Sequence, residues 1–331
     1  MKNDIKKRVT LTAVAAMASI MLLLSGCGSQ ADTSSSASDA AATETAVATK
    51  AVENDGDYDK VTVSDADGEN SVTGLKDKSV KKLTLPSGVD GKAVTRISAN
   101  AFADCKNLTE VVIPAGYTGI GANAFKGCVN LKTVKIAEGL TSIGGYAFEG
   151  CEKLSEIDLP DSVETILMYA FHDCKSLKEI DIPDKVTNIN DFMFAGCESL
   201  KDVDLSDKTT RIGSNAFEGC VKLKEAEIPD TVKTLCGYAF KDCKGATEIE
   251  IGTGITSVGA RIFEGCESVV KVTIPDNIKS IGNYTFYNCK KLSSVTFPKT
   301  LESIGGKAFV GTKVSKDSVP SGCVVNSNAF D

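Results

Sequence analysis

Tryptophan is absent and histidine occurs once, at His172. Histidine is the side chain whose ordinary titration lies nearest neutrality, so its scarcity thins the field of catalytic bases. No G-x-S-x-G or C-x-x-C occurs, and Gly252-Thr253-Gly254 misses the spacing of a dinucleotide-binding turn. Positive charge is also short, with 37 Lys and Arg against 44 Asp and Glu, a net charge of −7. That balance argues against a nucleic-acid binder. No apolar run after the first 24 residues could cross a bilayer. What remains is 24% charged and 42% hydrophobic, ordinary for a folded chain and unlike collagen or a wholly disordered one.

The N-terminus is better supplied. Lys2, Lys6, Lys7 and Arg8 precede the apolar stretch Val9 to Leu24, which is short and rich in Ala, Ser and Thr. It ends in Leu24-Ser25-Gly26-Cys27, which resembles the bacterial lipobox. The resemblance implies a signal peptide at 1–26 and a lipidated Cys27 as first mature residue; the alternative is an ordinary signal peptide with a stray cysteine. The signal carries four basic residues and one acid, so its removal takes the net charge from −7 to −10. Lipid on Cys27 is then the only membrane attachment the chain offers. Of the 23 residues from Gly28 to Lys50, 16 are Ser, Thr or Ala. Such a segment buries too little apolar area to offset its ordering entropy and reads as a disordered tether, 27–58.

Everything after Ile97 repeats. Ile97, Ile120, Ile143, Ile166, Ile189, Ile212, Leu235, Val258, Ile281 and Ile304 advance by 23 each time. Five residues beyond each stands a phenylalanine, from Phe102 to Phe309. Three further on, nine cysteines recur from Cys105 to Cys289, and Thr312 replaces the tenth. In Leu154-x-x-Ile157-x-Leu159-Pro160 the apolar residues alternate at strand spacing, and proline, lacking an N–H, ends the strand. The Ala-Phe-x-x-Cys segment reads as a short helical or 3₁₀ turn. One repeat cannot bury its apolar face alone, and stacking buries a continuous core. The expected fold is a repeat solenoid, with a parallel β-sheet on one face and short turns or 3₁₀ segments on the other. Leu83-Thr84-Leu85-Pro86 is a half-repeat within an N-terminal cap, 59–96; the solenoid spans 97–312, and a partial repeat ending at Phe330 caps it, 313–331.

The Ile-Gly-x-x-Ala-Phe-x-x-Cys and Leu-x-x-Val-x-Ile-Pro segments resemble those of BspA-like leucine-rich-repeat surface lipoproteins of bacteria. The resemblance covers about Leu83 to Phe330. It implies a leucine-rich-repeat fold and, since that family is associated with adhesion, binding to another macromolecule. The expectation is a lipid-anchored envelope protein, exposed outside the cytoplasmic membrane, with no catalytic residues, cofactor or metal. A spacer lipoprotein without a ligand and an envelope hydrolase are the alternatives, but no segment outside the repeat is long enough for a catalytic domain.

Four groups of side chains are candidates for more than packing. His172 follows Phe171 in a column that elsewhere holds Ala103, Lys126 and Glu149, and so reads as a surface residue. The laddered cysteines would stack about 4.8 Å apart with parallel Cβ vectors, outside disulfide geometry, which points to buried free thiols. Tyr146, Tyr169, Phe192, Tyr238 and Tyr284 each stand two before the core Phe, as turn packing or as a platform for a partner or sugar ring. Finally, five successive strands carry acid on both outward positions: Glu156, Asp158, Glu179, Asp181, Asp202, Asp204, Glu225, Glu227, Glu248 and Glu250. Neighbours about 4.8 Å apart repel by roughly 1 kcal/mol in water and 3–4 at an effective dielectric of 20, so stability does not select the arrangement. It reads either as a solvated face or as a binding face for a partner with a basic surface, and the second reading names these ten as partner-binding residues.

Overall fold

A computed structural model of the chain describes residues 55–66 and 69–331. The expected signal peptide, the expected lipidation site Cys27 and the expected linker up to residue 54 lie outside the described residues.

Each 23-residue unit makes one turn of a parallel β-solenoid. Its first strand comes from the Val-x-Ile-Pro segment, beginning with Lys82–Thr84, Glu110–Ile113 and Thr133–Ile136. Consecutive strands pair in parallel register, Leu83 beside Val111 and Val111 beside Val134, in four ladders that break after Glu156–Ile157, Asp202–Asp204 and Glu248–Ile251. A second series of parallel strands, of two residues for the most part, runs through the repeated isoleucines from Arg96 and Ile97 to Val324–Val325, its eleven rungs hydrogen-bonded as three ladders that break after Thr165–Ile166 and after Thr234–Leu235. The expected single sheet is therefore accompanied by a narrower one. At the N-terminal end, Val61–Ala66 and Glu69–Leu75 pair antiparallel, and the latter runs parallel to Lys92–Ile97. The extra residues of the first connection form a small antiparallel pairing, Gly88–Val89 with Lys92 and Ala93.

The third side corrects the helical reading of Ala-Phe-x-x-Cys. Among the described residues the 3₁₀ segment is Lys316–Ser318, in the C-terminal cap. In the repeats, donors alternate in direction. Ala101, Ala103 and Cys105 N–H bond back to carbonyls three residues earlier, whereas Asn100, Phe102 and Asp104 N–H reach carbonyls of the next turn at 2.7–2.9 Å. A helix would turn every donor inward along its own axis and leave adjacent turns unjoined. The alternation needs left-handed backbone on either side of the phenylalanine, at Asn100 (φ 60°) and Asp104 (φ 56°) in the first turn and at matching positions along the solenoid.

Inside these walls the side chains form columns. Phe102 to Phe330 make an unbroken stack with centroids 5.1–5.7 Å apart and planes within 18°. Full burial of each large side chain contributes about 1.5–3 kcal/mol. The nine laddered cysteines are buried and form no disulfide, and Cys236 and Cys323, partly exposed, form none either. Eight of the ladder donate Sγ–H to the phenylalanine carbonyl of the turn before, at 3.0–3.3 Å. Gly121, Gly144 and Gly213 floor the narrow ladder because a Cβ there would lie 2.5–2.6 Å from backbone nitrogen of the preceding turn. Cys236, in the same column, keeps the ladder bond to Ile212 O at 2.9 Å.

Candidate functional site

Strand alternation builds the acidic face. Ile157, Ile180, Ala226 and Ile249 point inward and are buried, so the residues flanking them point to solvent. All ten carboxylates of Glu156 to Glu250 are exposed. Register sets like charge beside like: Glu179 beside Asp202, Asp181 beside Asp204, Glu225 beside Glu248 and Glu227 beside Glu250. Partial burial, then the charges of Asp204, Glu179, Asp202 and Asp158, hold the Asp181 carboxyl above the ordinary carboxylate range. The residue sits at the centre of a negative field that favours added positive charge.

A further acidic column escaped the sequence reading, although its 23-residue spacing was available: Asp161, Asp184, Asp207 and Asp230, each just after the strand. Two of these carboxylates have work within the fold. Asp230 accepts from the Thr253 N–H at 2.7 Å, and Asp184 accepts from the Ser206 hydroxyl at 2.9 Å. Charge is segregated along the chain. Residues 136–267 carry 25 acidic and 13 basic side chains, a net −12, whereas 76–135 carry four acidic and ten basic and 268–331 four and eight.

The aromatic column lies on the turn side. All five of its members adopt left-handed backbone, with φ between 56° and 62°. That conformation costs about 1–2 kcal/mol for a residue with a Cβ and is ordinarily left to glycine or asparagine. Tyr146, Tyr169 and Phe192 stack in sequence at 4.6 Å, with planes within 8°. Lys126 Nζ stands 5.2 Å from the Tyr146 centroid. In the second block the Arg261 guanidinium lies between Tyr238, at 5.7 Å, and Tyr284, at 3.9 Å. The rings are partly buried, Tyr238 the most open at 36% exposure.

The candidate nucleophiles and base do not assemble into a site. Burial pushes the ladder thiols up, to about 12 at Cys128 and Cys289, so the reactive thiolate is disfavoured throughout the ladder. His172 is partly buried rather than on the open surface, edge-on to Tyr169 with centroids 5.4 Å apart. Its Nδ1 is 3.6 Å from Glu149 Oε1 and 3.5 Å from Asp173 Oδ2. Among the described residues no cluster of three or more His, Cys, Asp or Glu side chains could hold a metal ion. Nor is any helix there long and apolar enough to cross a membrane.

The sequence profile of the BspA type leucine rich repeat region matches residues 95–224 and 210–331. The chain belongs to the BspA-type leucine-rich-repeat family. No curated protein matches it. Among solved structures, a leucine-rich repeat protein from Bacteroides ovatus is 26% identical, with a TM-score of 0.50 over 77% of this chain and 56% of that one. A leucine rich cell surface protein from Faecalibacterium prausnitzii is 25% identical, with a TM-score of 0.45 over 78% and 94%. The leucine-rich repeat protein of T. pallidum is 23% identical, with a TM-score of 0.41 over 80% and 89%. As a BspA-type repeat protein, this chain offers extended surfaces suited to macromolecular contact.

Proposed function

We propose that the mature protein is held by lipid on Cys27 outside the cytoplasmic membrane and binds a protein or other macromolecule through its acidic sheet face. The observation that carries this reading is the pair of exposed carboxylate columns from Glu156 to Glu250, with Glu179 and Asp181 in register with Asp202 and Asp204, Glu225 and Glu227 in register with Glu248 and Glu250, and Asp181 held above the ordinary carboxylate range by burial and by its acidic neighbours. A partner presenting a basic surface relieves that repulsion, and such contacts weaken as salt rises. No catalysis is assigned. His172 has no thiol or hydroxyl partner in the contacts described, and the ladder thiols are buried.

The test has two arms. Replacing Asp181 and Asp204 by Asn and Glu227 by Gln should weaken binding to immobilised basic matrix proteins about tenfold while leaving the fold intact, as rim charges do. Binding that survives both the triple change and high salt moves the contact off the sheet face. Cys27→Ala should release the protein from membranes or block its processing. Unchanged membrane partitioning, with an unlipidated mature N-terminus by mass spectrometry, would end the anchor reading.

A further inference from the structure

Both sheet walls open at one place. The wide ladder breaks after Glu156–Ile157 and the narrow one after Thr165–Ile166, strands of a single turn. The next turn begins new ladders with Glu179–Asp181 and Asn188–Ile189. Leu167 N–H bonds back to Ile143 O at 3.0 Å and Gly213 N–H to Ile189 O at 2.7 Å, so the narrow wall is closed on either side of the break. Across it, Ile166 O takes the Asn190 side-chain amide at 2.6 Å. Leu167 and Met168, which follow the broken strand, are open to solvent at 46% and 48%.

The third side joins the two turns. Tyr169 N–H reaches Asp191 O at 3.1 Å, Phe171 N–H reaches Met193 O at 3.0 Å and Asp173 N–H reaches Ala195 O at 2.8 Å. The bonds equivalent to that of Phe171 measure 2.7–2.8 Å at Phe102, Phe125 and Phe148. Cys197 Sγ–H donates to Phe171 O at 3.2 Å, and the Tyr169 ring stacks on Phe192 at 4.6 Å. The narrow ladder breaks once more, after Thr234–Leu235, and there the same column sets the Arg261 guanidinium 5.7 Å from the Tyr238 ring. Where the column pairs Asn100 with Asn123, both sheet walls are hydrogen-bonded.

We infer that the solenoid is hinged between these two turns, with the aromatic column as its pin. A turn touches only its neighbours, so an interface without sheet hydrogen bonds is the one most easily parted. The turn-side bonds and the ring stack hold the pivot, while the sheet walls swing. Tyr169 and Phe192 keep left-handed backbone, which asparagine adopts at lower cost, and at this interface their rings supply the contact that the sheets omit. The hinge crosses the acidic face, with Glu156 and Asp158 on one side and Glu179 and Asp181 on the other, and like charge favours opening. The inference holds whether or not that face binds a partner.

The buried ladder thiols report opening from inside the full chain. Tyr169→Asn installs the residue that Asn100, Asn123 and Asn215 already hold in this column with left-handed backbone, so the fold is kept. It should speed labelling of Cys174 and Cys197 by N-ethylmaleimide about tenfold, the effect of losing two ring stacks, and leave Cys128 and Cys266 unchanged. Tyr146→Asn removes a stack between turns whose walls are both bonded, and should leave Cys128 and Cys151 slow. In the unaltered chain the Phe171 and Asp173 amides, which bond across the break, should exchange hydrogen faster than those of Phe125 and Gly127, which bond across closed walls. Equal exchange at the two pairs overturns the inference. So does a Tyr169→Asn chain whose Cys174 and Cys197 label no faster than before. Equal acceleration at the matching thiols of the two variants overturns it as well, since the rings would then be ordinary packing.

Discussion

Asp181 shows what an in-register repeat does to one side chain. Had it stood alone on a sheet face it would titrate as any surface carboxyl. Stacking puts Asp204, Glu179, Asp202 and Asp158 around it and shields it partly from water, and both effects favour the protonated form. Its carboxyl is raised in the folded state relative to the unfolded one, so the folded state binds the proton more tightly. Its contribution to stability is therefore present in acid, below the unfolded value, and is lost as pH rises through the folded one. Asp181→Asn should raise the melting temperature at pH 7 and leave it nearly unchanged at pH 3. Thermal unfolding followed by circular dichroism at the two pH values checks this. An equal shift at both would mean that the residue acts through packing and not through charge.

At the scale of one turn, the segment after each phenylalanine carries an unwritten rule. Asp104, Asp173, Asp242 and Asn288 have left-handed backbone, and the next repeat holds Gly127, Gly196, Gly265 and Gly311 at the same position. The reason is volume. A Cβ on Gly127 would lie 2.6 Å from Asp104 Oδ1, and one on Gly196 would overlap Asp173 Oδ1. Gly150 differs, since its nearest neighbour would be Gly127 at 3.9 Å. Gly150 and Gly196 share a positive φ, 69° and 74°. Gly150→Ala should then cost only the left-handed penalty, about 1–2 kcal/mol. Gly196→Ala should cost distinctly more, and adding Asp173→Gly should return it to the cost of Gly150→Ala. Denaturant melts of the four variants decide, and equal costs for the two alanines would remove the side-chain term.

Over the whole solenoid, each turn touches only its neighbours, so stability is a sum of turn and interface terms. The phenylalanine stack makes that testable. Phe194 lies between Phe171, at 5.6 Å, and Phe217, at 5.5 Å, while Phe330 stacks only on Phe309, at 5.1 Å. Phe194→Ala should cost about 3–5 kcal/mol and open the middle of the molecule. Phe330→Ala should cost much less and fray one end. Hydrogen exchange shows where protection is lost, and equal, global loss in both variants would contradict nearest-neighbour additivity.

Much of this was legible in the sequence because a repeat states its own contacts. A 23-residue offset that holds for Ile97 to Ile304 and Phe102 to Phe309 requires that equivalent residues stack, and alternation in Leu154-x-x-Ile157-x-Leu159 sets which face each strand buries. The ten carboxylates were placed by the same two periods. Short turns on the other side were expected as well, but their hydrogen bonding was not legible. Tyr146-Ala147-Phe148 reads locally as helix, since alanine favours it, and nothing in those residues reports that alternate N–H groups will find acceptors one turn away. Only the stacked neighbour supplies those carbonyls, at 2.7–3.1 Å, and with them the left-handed backbone at Tyr146 and Tyr169. Exposure of Leu167 and Met168 was likewise decided by tertiary structure. An apolar residue in sequence is silent about its surroundings, and here the glycines of the turns before it leave its side chain a groove to border instead of a core to enter.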